Sequence, residues 1–391
     1  MFKELSEKYK FSEDVIKLLY KVYGEEIEKV LKVLKTPGPY YHIRVNTLKT
    51  TRENVIRRLK EYDIKVEKHP IIPEAIRIPV RGPFKLPEAE KTIIVDKFTA
   101  ESVLMGANVY APGVIRCKGI RKGDYVKIAD KFGQIVAVGM AKMSEAQILK
   151  LRRGLAVEVL HSIFKIPHIR DTEEYRMGLI YPQSIPSMVV VRELDPKPGE
   201  IIVDLTCSPG GKLSHICQLT ENKARIIGVD RSIRKIRKTA ENLKRLGCKN
   251  VKLLVHDSRY IDRDYPTLKA DKCLIDPPCS ALGVMPKIYE YKSKEEMISL
   301  AEYQKQFFKA VSKIVRVGGT IIYSVCTMTI EECEKIVEYA VKKCGLKLKS
   351  QALVLGSQGL ESILEECKLT QRFHPHIHYS GYFIAKFIKK H

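Results

Sequence analysis

Cys279 and Cys326 stand in the segments Asp276-Pro277-Pro278-Cys279-Ser280 and Tyr323-Ser324-Val325-Cys326-Thr327, each just past a short apolar run, residues 272–275 and 320–323. A thiolate can add covalently to an electron-poor ring such as a cytosine, and a second thiol can assist its departure. In an alternating α/β sheet, ligands and chemistry collect at the carboxyl ends of the strands. If these two strands are neighbours, both thiols face one pocket. Most cysteines are small core hydrophobes, and the chain has ten. Context, not residue type, must single out these two.

A second loop narrows the chemistry. An apolar run, residues 201–205, leads into Thr206, Cys207, Ser208, Pro209, Gly210, Gly211 and Lys212, and a helix follows. Glycines let the backbone approach a ligand closely, and a helix N-terminus offers free N–H donors. A phosphate loop needs Gly five residues before Gly211 and Ser or Thr after Lys212; Thr206 and Leu213 stand there instead. The dinucleotide pattern G-x-G-x-x-G is absent too. Asp230 ends the next strand, where doubly wound folds bind a ribose hydroxyl. Asp257 follows the strand after that, placed to accept from an adenine amino group. Two strand-end acids and a glycine loop without a phosphate cradle fit S-adenosylmethionine, whereas a lone Gly-Gly turn would be only a helix start.

Asp-Pro-Pro followed by an aromatic residue is the pattern associated with methylating an exocyclic amine, whose lone pair attacks directly. Here Cys279 holds the aromatic position. Carbon-5 of cytosine is a poor nucleophile and needs covalent addition at carbon-6 to activate it. The cysteines therefore point to carbon methylation of a pyrimidine.

Three stretches must position these residues. Residues 1–90 read as helices (12–22 and 25–34), then a strand-helix-strand unit (41–48, 52–62, 64–67), then a linker-like stretch punctuated by prolines at 70, 73, 79, 83 and 87. Residues 91–167 carry short strands broken by glycine (92–95, 113–115, 125–129, 135–140), the pattern of a small barrel. Residues 168–391 alternate strands (201–205, 225–229, 251–255, 272–275, 320–323, 382–387) with helices (234–246, 294–315, 330–343), as in a doubly wound, mostly parallel sheet.

The 391 residues carry 69 Lys and Arg against 46 Asp and Glu, a net charge of +23. Ion-pair networks would not need that excess, and it favours a polyanionic partner such as nucleic acid. No apolar run approaches a membrane span, and the start lacks a signal-peptide stretch. A cytoplasmic protein with unpaired thiols is expected. The absence of C-x-x-C argues against a structural zinc site. His374, His376 and His378 alternate and, in an extended segment, would face one side; no metal is expected there.

The chain resembles the Sun-type family of RNA cytosine-5 methyltransferases, across Ser208-Pro209-Gly210-Gly211-Lys212, Asp276-Pro277-Pro278-Cys279-Ser280, Tyr323-Ser324-Val325-Cys326-Thr327 and Gln371-Arg372-Phe373-His374-Pro375-His376. Arg44-Val45-Asn46-Thr47-Leu48 resembles that family's small α+β RNA-binding extension. Spacing alone leaves open which thiol attacks, and analogy with DNA cytosine methyltransferases would favour Cys279. The resemblance implies Cys326 as the nucleophile and Cys279 in release of the product. It implies Asp276 on the cytosine edge and Lys212 near the methyl donor and the base. Thr206 to Lys212, with Asp230, Asp257 and Asp276, would hold S-adenosylmethionine in a class I methyltransferase fold. Ser208 departs from the family's usual small Ala.

Residues 106–114, with Gly123-Asp124-Tyr125-Val126 and Val138-Gly139-Met140, are similar to a PUA domain, a small RNA-binding β-barrel. The resemblance then implies the PUA-containing branch, whose members methylate an acceptor-stem cytosine at about position 72 of tRNA and grip the single-stranded CCA end. Tyr110 is expected in the barrel core rather than stacked on a base. A monomer is expected. The alternatives are the same chemistry on ribosomal RNA, and a non-catalytic RNA-binding assembly factor.

Overall fold

The strands that carry the chemistry are neighbours. In the computed structural model, which describes residues 1–390, one sheet runs Val251–Val255, Arg225–Asp230, Ile201–Asp204, Ala270–Ile275, Val315–Val325, Tyr382–Lys389, Gln371–Phe373, Ser357–Gln358. The first five strands are parallel, and Tyr382–Lys389 returns antiparallel beside Val315–Val325. Strand order reverses between Ile201–Asp204 and Ala270–Ile275, and the crevice at such a switch point is where doubly wound folds bind ligands. Ile275 lies opposite Tyr323 in the parallel register. Cys279 and Cys326, each a few residues further on, therefore emerge at the same end.

Strand alternation sends side chains to the two helical layers in turn. Val203, Cys273, Ile275, Ile321 and Tyr323 pack under the helices Lys294–Ile314 and Glu334–Cys344. Ile202, Leu274 and Ile322 pack under Ile185–Leu194 and Gly211–Leu219. A capping box between Ser293 and Glu296 starts the 21-residue helix Lys294–Ile314.

The N-terminal sheet corrects three expectations. Its order is Ile180–Pro182, Tyr40–Val45, Ala75–Pro79, Glu67–Lys68. The proline-punctuated stretch read as a linker thus contains a strand. Ala75, Ile76 and Ile78 are buried in it, and Pro79 sits at its last position, where a missing N–H costs no ladder bond. Ile180–Pro182 completes this sheet from beyond residue 168, so the first and third stretches interlock rather than abut. The strand anticipated at 64–67 is reduced to Glu67–Lys68.

The middle stretch forms a six-stranded sheet that includes two strands not anticipated, Val109–Tyr110 and Leu155–Ser162. Val109–Tyr110 and Val114–Arg116 lie at opposite ends of its strand order, yet only Ala111–Gly113 separates them in the chain. Such a short connection spans less than about 15 Å, so the sheet must curl round on itself. Tyr110 is not a core residue: it is 58% exposed, while its neighbours Val109 and Ala111 are buried.

The three histidines do not lie in an extended segment. Pro375 opens a short helix, Pro375–His378, and His374 and His378 stack one turn apart. His374 and His376 pack edge-on against Tyr23, joining the N-terminal helices to the catalytic sheet.

One segment, residues 283–292, threads between all three units. Lys287 N donates to Leu34 O at 2.7 Å and Glu290 N to Lys10 O at 2.9 Å. Buried Glu290 is met by Lys97 of the barrel at 2.5 Å and by Lys287 at 3.3 Å. Among the described residues no helix is long and apolar enough to cross a membrane.

Candidate active site

Cys279 Sγ and Cys326 Sγ lie 3.4 Å apart, hydrogen-bonded thiols and not a disulfide, whose sulfurs stand about 2 Å apart. Two contacts behind them hold the segments together. Gly283 N donates to Cys326 O at 2.9 Å, and the Ser280 and Thr327 hydroxyls meet at 2.6 Å. Glu332 lies beneath this junction, accepting from Ser280 N at 2.8 Å, Gln304 Nε2 at 3.0 Å and Thr329 Oγ1 at 3.1 Å. Burial pushes its carboxyl upward. Glu332 was not singled out by the sequence reading, although Thr327-Met328-Thr329-Ile330-Glu331-Glu332 is a polar signal directly after the cysteine.

Asp276 is the hub of the pocket. It accepts from Lys212 Nζ at 2.6 Å, Ser324 Oγ at 2.8 Å and Tyr382 OH at 3.3 Å. Its own N–H donates to Thr206 Oγ1 at 3.0 Å, tying the glycine loop to the Cys279 segment. Burial alone would lower the Lys212 ammonium, but Asp276 overrides it and holds Lys212 well above its ordinary value, charged. Ser324 and Tyr382 are further site residues that the sequence reading passed over.

The two thiols differ in electrostatics. Cys326 is drawn below the ordinary thiol value, first by the hydrogen bond from Cys279, with Lys212 and Lys287 adding to it against burial and Asp276. Cys279 is pushed well above, by that same bond and by burial.

Thr206, Ser208, Asp230, Asp257, Asp276 and both thiols line one cavity of about 310 Å³. Lys212, Pro209 and Gly211 line a smaller hollow of about 230 Å³ that shares Thr206, Ser208 and Asp276. Gly210 lines neither; at φ +96° it makes the turn into the helix Gly211–Leu219, a conformation glycine adopts without strain. Cys207 also lines the smaller hollow and packs in the core cluster.

This cavity fits S-adenosylmethionine and not a phosphate. Lys212, the residue a phosphate loop would use, is committed to Asp276. Asp230 Oδ1 accepts from Ser232 N at 2.9 Å and can accept further from a ribose hydroxyl. Asp257 is clamped by Arg259, with Nε to Oδ1 at 2.9 Å and Nη2 to Oδ2 at 2.6 Å. Arg259 N also donates to Oδ1 and Nε to Oδ2, both at 3.1 Å, so an adenine amino group would share these oxygens with Arg259.

On its other side Cys326 opens onto a larger cleft of about 780 Å³, walled by Tyr40, His42, Met285, Phe373 and Tyr379. One thiol thus stands on the border of two cavities, one of cofactor size and one between units. The Arg44-Val45-Asn46 segment, assigned to the RNA-binding extension, lines neither cavity: Arg44 and Asn46 are 1% and 3% exposed.

The chain matches three family models. The one described as 16S rRNA methyltransferase RsmB/F covers residues 191–388, the PUA domain covers 91–163, and the RsmF/B-like ferredoxin-like domain covers 13–85. A tRNA (cytosine(72)-C(5))-methyltransferase of Pyrococcus horikoshii is 42% identical over 99% of this chain and 96% of that protein. The human tRNA (cytosine(72)-C(5))-methyltransferase NSUN6 is 28% identical over 93% of this chain and 86% of its own length. The crystal structure of NSun6 from P. horikoshii with SFG, an S-adenosylmethionine analogue, superposes with a TM-score of 0.89 at 41% identity, covering 97% of this chain and 99% of that one. Sequence, fold and pocket agree: the chain belongs to the RsmB/F methyltransferase family and is an S-adenosylmethionine-dependent methyltransferase.

Proposed function

We propose that this enzyme methylates carbon-5 of a cytosine in tRNA, at position 72 of the acceptor stem, through a covalent bond between Cys326 and carbon-6. The observation that carries the reading is the thiol pair at 3.4 Å beside the Asp276–Lys212 ion pair, at the border of two cavities. A stem base must be unstacked to reach a thiolate, at a cost of a few kcal/mol, and a terminal pair is the cheapest to open. The barrel takes the single-stranded CCA end, with exposed Tyr110 available for stacking.

In the pocket the Asp276 carboxylate accepts from the cytosine exocyclic amine, and Lys212 holds that carboxylate in place. The Cys326 thiolate forms the S–C6 bond, and electron density moves to carbon-5. S-adenosylmethionine, when bound by the glycine loop with Asp230 and Asp257, supplies the methyl group. Transfer of the carbon-5 proton to solvent water then breaks the S–C6 bond, whose electron pair returns to Cys326 as a thiolate. The Cys279 S–H, which donates to that sulfur, stabilises the departing thiolate and so assists release. All ten cysteines are free, which fits work in a reducing cytoplasm, and we take the enzyme to act as a monomer.

The test is to map 5-methylcytosine in total tRNA incubated with enzyme and cofactor, and to compare tRNA with and without its CCA end. Modification confined to the acceptor stem and dependent on CCA is expected. Indifference to the CCA end would instead favour the ribosomal substrate named by the family model. Cys279→Ala should accumulate a slowly migrating covalent RNA complex in denaturing gels; its absence would remove the release role.

A further inference from the structure

Arg44 and Asn46 occupy alternate positions at the end of Tyr40–Val45 and so leave the chain on the same side. Both are spent entirely inside the protein. Arg44 Nη1 donates to Gly211 O at 2.7 Å and to Gln183 Oε1 at 2.5 Å, and Nη2 donates to Ser214 Oγ at 2.6 Å. Ser214 Oγ in turn donates to Gly211 O at 3.0 Å. Gly211 is the first residue of the helix that follows the cofactor loop. Tyr181 closes this contact: a Cβ on Gly211 would come within 2.9 Å of its ring, and Arg44 lies 5.4 Å from the ring centroid.

Asn46 Nδ2 donates to Gly178 O at 2.8 Å and Leu246 O at 2.7 Å. Leu246 ends the helix Ile233–Leu246, which holds the other half of the loop. Its Thr239 hydroxyl meets Ser208 Oγ at 3.0 Å, and Asn242 Nδ2 donates to Pro209 O at 2.9 Å. Two side chains of one N-terminal strand thus hold both helices that flank the glycine loop. Glu74, from the same N-terminal sheet region, adds a third attachment through His215 at 2.7 Å.

The arrangement is expensive. Among the described residues no carboxylate forms an ion pair with Arg44, and its buried Nε has no partner. A guanidinium buried without a counter-ion costs stability that hydrogen bonds only partly offset. Packing alone would be served better by an apolar residue. The carbonyl it grips belongs to the peptide linking Gly211 to Lys212, at the hinge between the loop and its helix.

We propose that Arg44 is a positioning residue for the cofactor loop: the N-terminal unit sets S-adenosylmethionine affinity through Arg44 and Gly211, and this segment does not contact RNA. No phosphate can reach a guanidinium that is 1% exposed.

The experiment is calorimetric titration of the intact enzyme with S-adenosylhomocysteine, alongside filter binding of tRNA over a range of salt. Arg44→Met should weaken the cofactor product by about tenfold, the scale of losing hydrogen bonds from a charged donor. Arg44→Lys, which keeps one donor for Gly211 O, should recover part of that loss. The tRNA affinity and its salt slope should stay as in the parent protein. Unchanged cofactor binding would overturn the proposal. So would a salt slope lowered by about one, the signature of a lost phosphate contact. Should Arg44→Met fail to melt cooperatively, Ser214→Ala decides: about threefold weaker cofactor binding is expected from loss of one hydrogen bond, and no change refutes the idea. Because the readout is cofactor binding, it stands or falls independently of which RNA is methylated.

Discussion

Among the described residues two cysteine pairs perturb one another's ionisation, and only one, Cys279 with Cys326, meets at 3.4 Å and is built for chemistry. Cys217 and Cys248 repeat the electrostatic polarity of Cys279 and Cys326. Cys217 is raised by its bond to Cys248 and by burial; Cys248 is lowered by that bond, with Arg44 and Lys49 adding to it against burial. Yet Cys217 sits in the core on the helix Gly211–Leu219, and Cys248 packs against the same cluster. Neither lines the three cavities described above. Cys326 has a cavity on each side and Asp276 with Lys212 close by. A raised thiol beside a lowered one is therefore not by itself a catalytic signature. Position at the carboxyl end of a strand, beside groups that can hold a substrate, is what separates the pairs.

The sharpest way to break this contrast is substitution at the lowered member of each pair. Cys326→Ala should reduce methyl incorporation from labelled cofactor by at least about 10³-fold, as expected when a covalent nucleophile is lost. Cys248→Ala should turn over at the parent rate, and a comparable loss there would erase the distinction. A smaller effect concerns pH. The thiolate is the reactive form, so single-turnover adduct formation should rise as pH climbs through the Cys326 ionisation. Its midpoint should lie below the ordinary thiol value of about 8.5. Lys212→Met removes a neighbouring cation and should shift that midpoint upward, whereas Cys248→Ala should leave it in place. The smallest effect is on stability. Cys217→Ala should lower the urea midpoint by the equivalent of about 1–2 kcal/mol by leaving a core void. Cys326→Ala, at a cavity wall, should cost less than about 1 kcal/mol; the reverse order would mean that Cys326 is a packing residue after all.

What could be read in the sequence was local. Cys279, Cys326 and the loop Thr206 to Lys212 each follow directly on an apolar strand, so the topology of a doubly wound sheet placed them before any coordinates were known. Partners contributed across the sheet were not legible. Tyr382 reaches Asp276 because the last strand returns antiparallel beside Val315–Val325, and no spacing along the chain encodes that. Ala75–Pro79 was hidden by its prolines, which mark its flanks and end rather than a linker. Arg44 and Asn46 were placed in the RNA-binding extension by resemblance alone, with no role given to either side chain. Their burial beneath the cofactor loop is a property of how the two units meet. Tyr110 erred in the opposite direction, since alternation in a two-residue strand is too short to show which face is core.

The segment at residues 283–292 bears on how such an enzyme can be rebuilt. Three family models match three separate stretches, which invites exchange of the barrel for one that recognises another RNA. The exchange would remove Lys97 from buried Glu290 and leave Lys287 and Lys292 as its only ammonium partners among the described residues, weakening the ion cluster that joins the barrel to this segment. The same segment begins four residues after Cys279, and its first residue, Gly283, donates to Cys326 O, so a poor seam would disturb the thiol pair itself. Retargeting therefore has to carry residues 283–292 along with the graft, because in this protein the boundary between recognition and chemistry runs through that strip of chain.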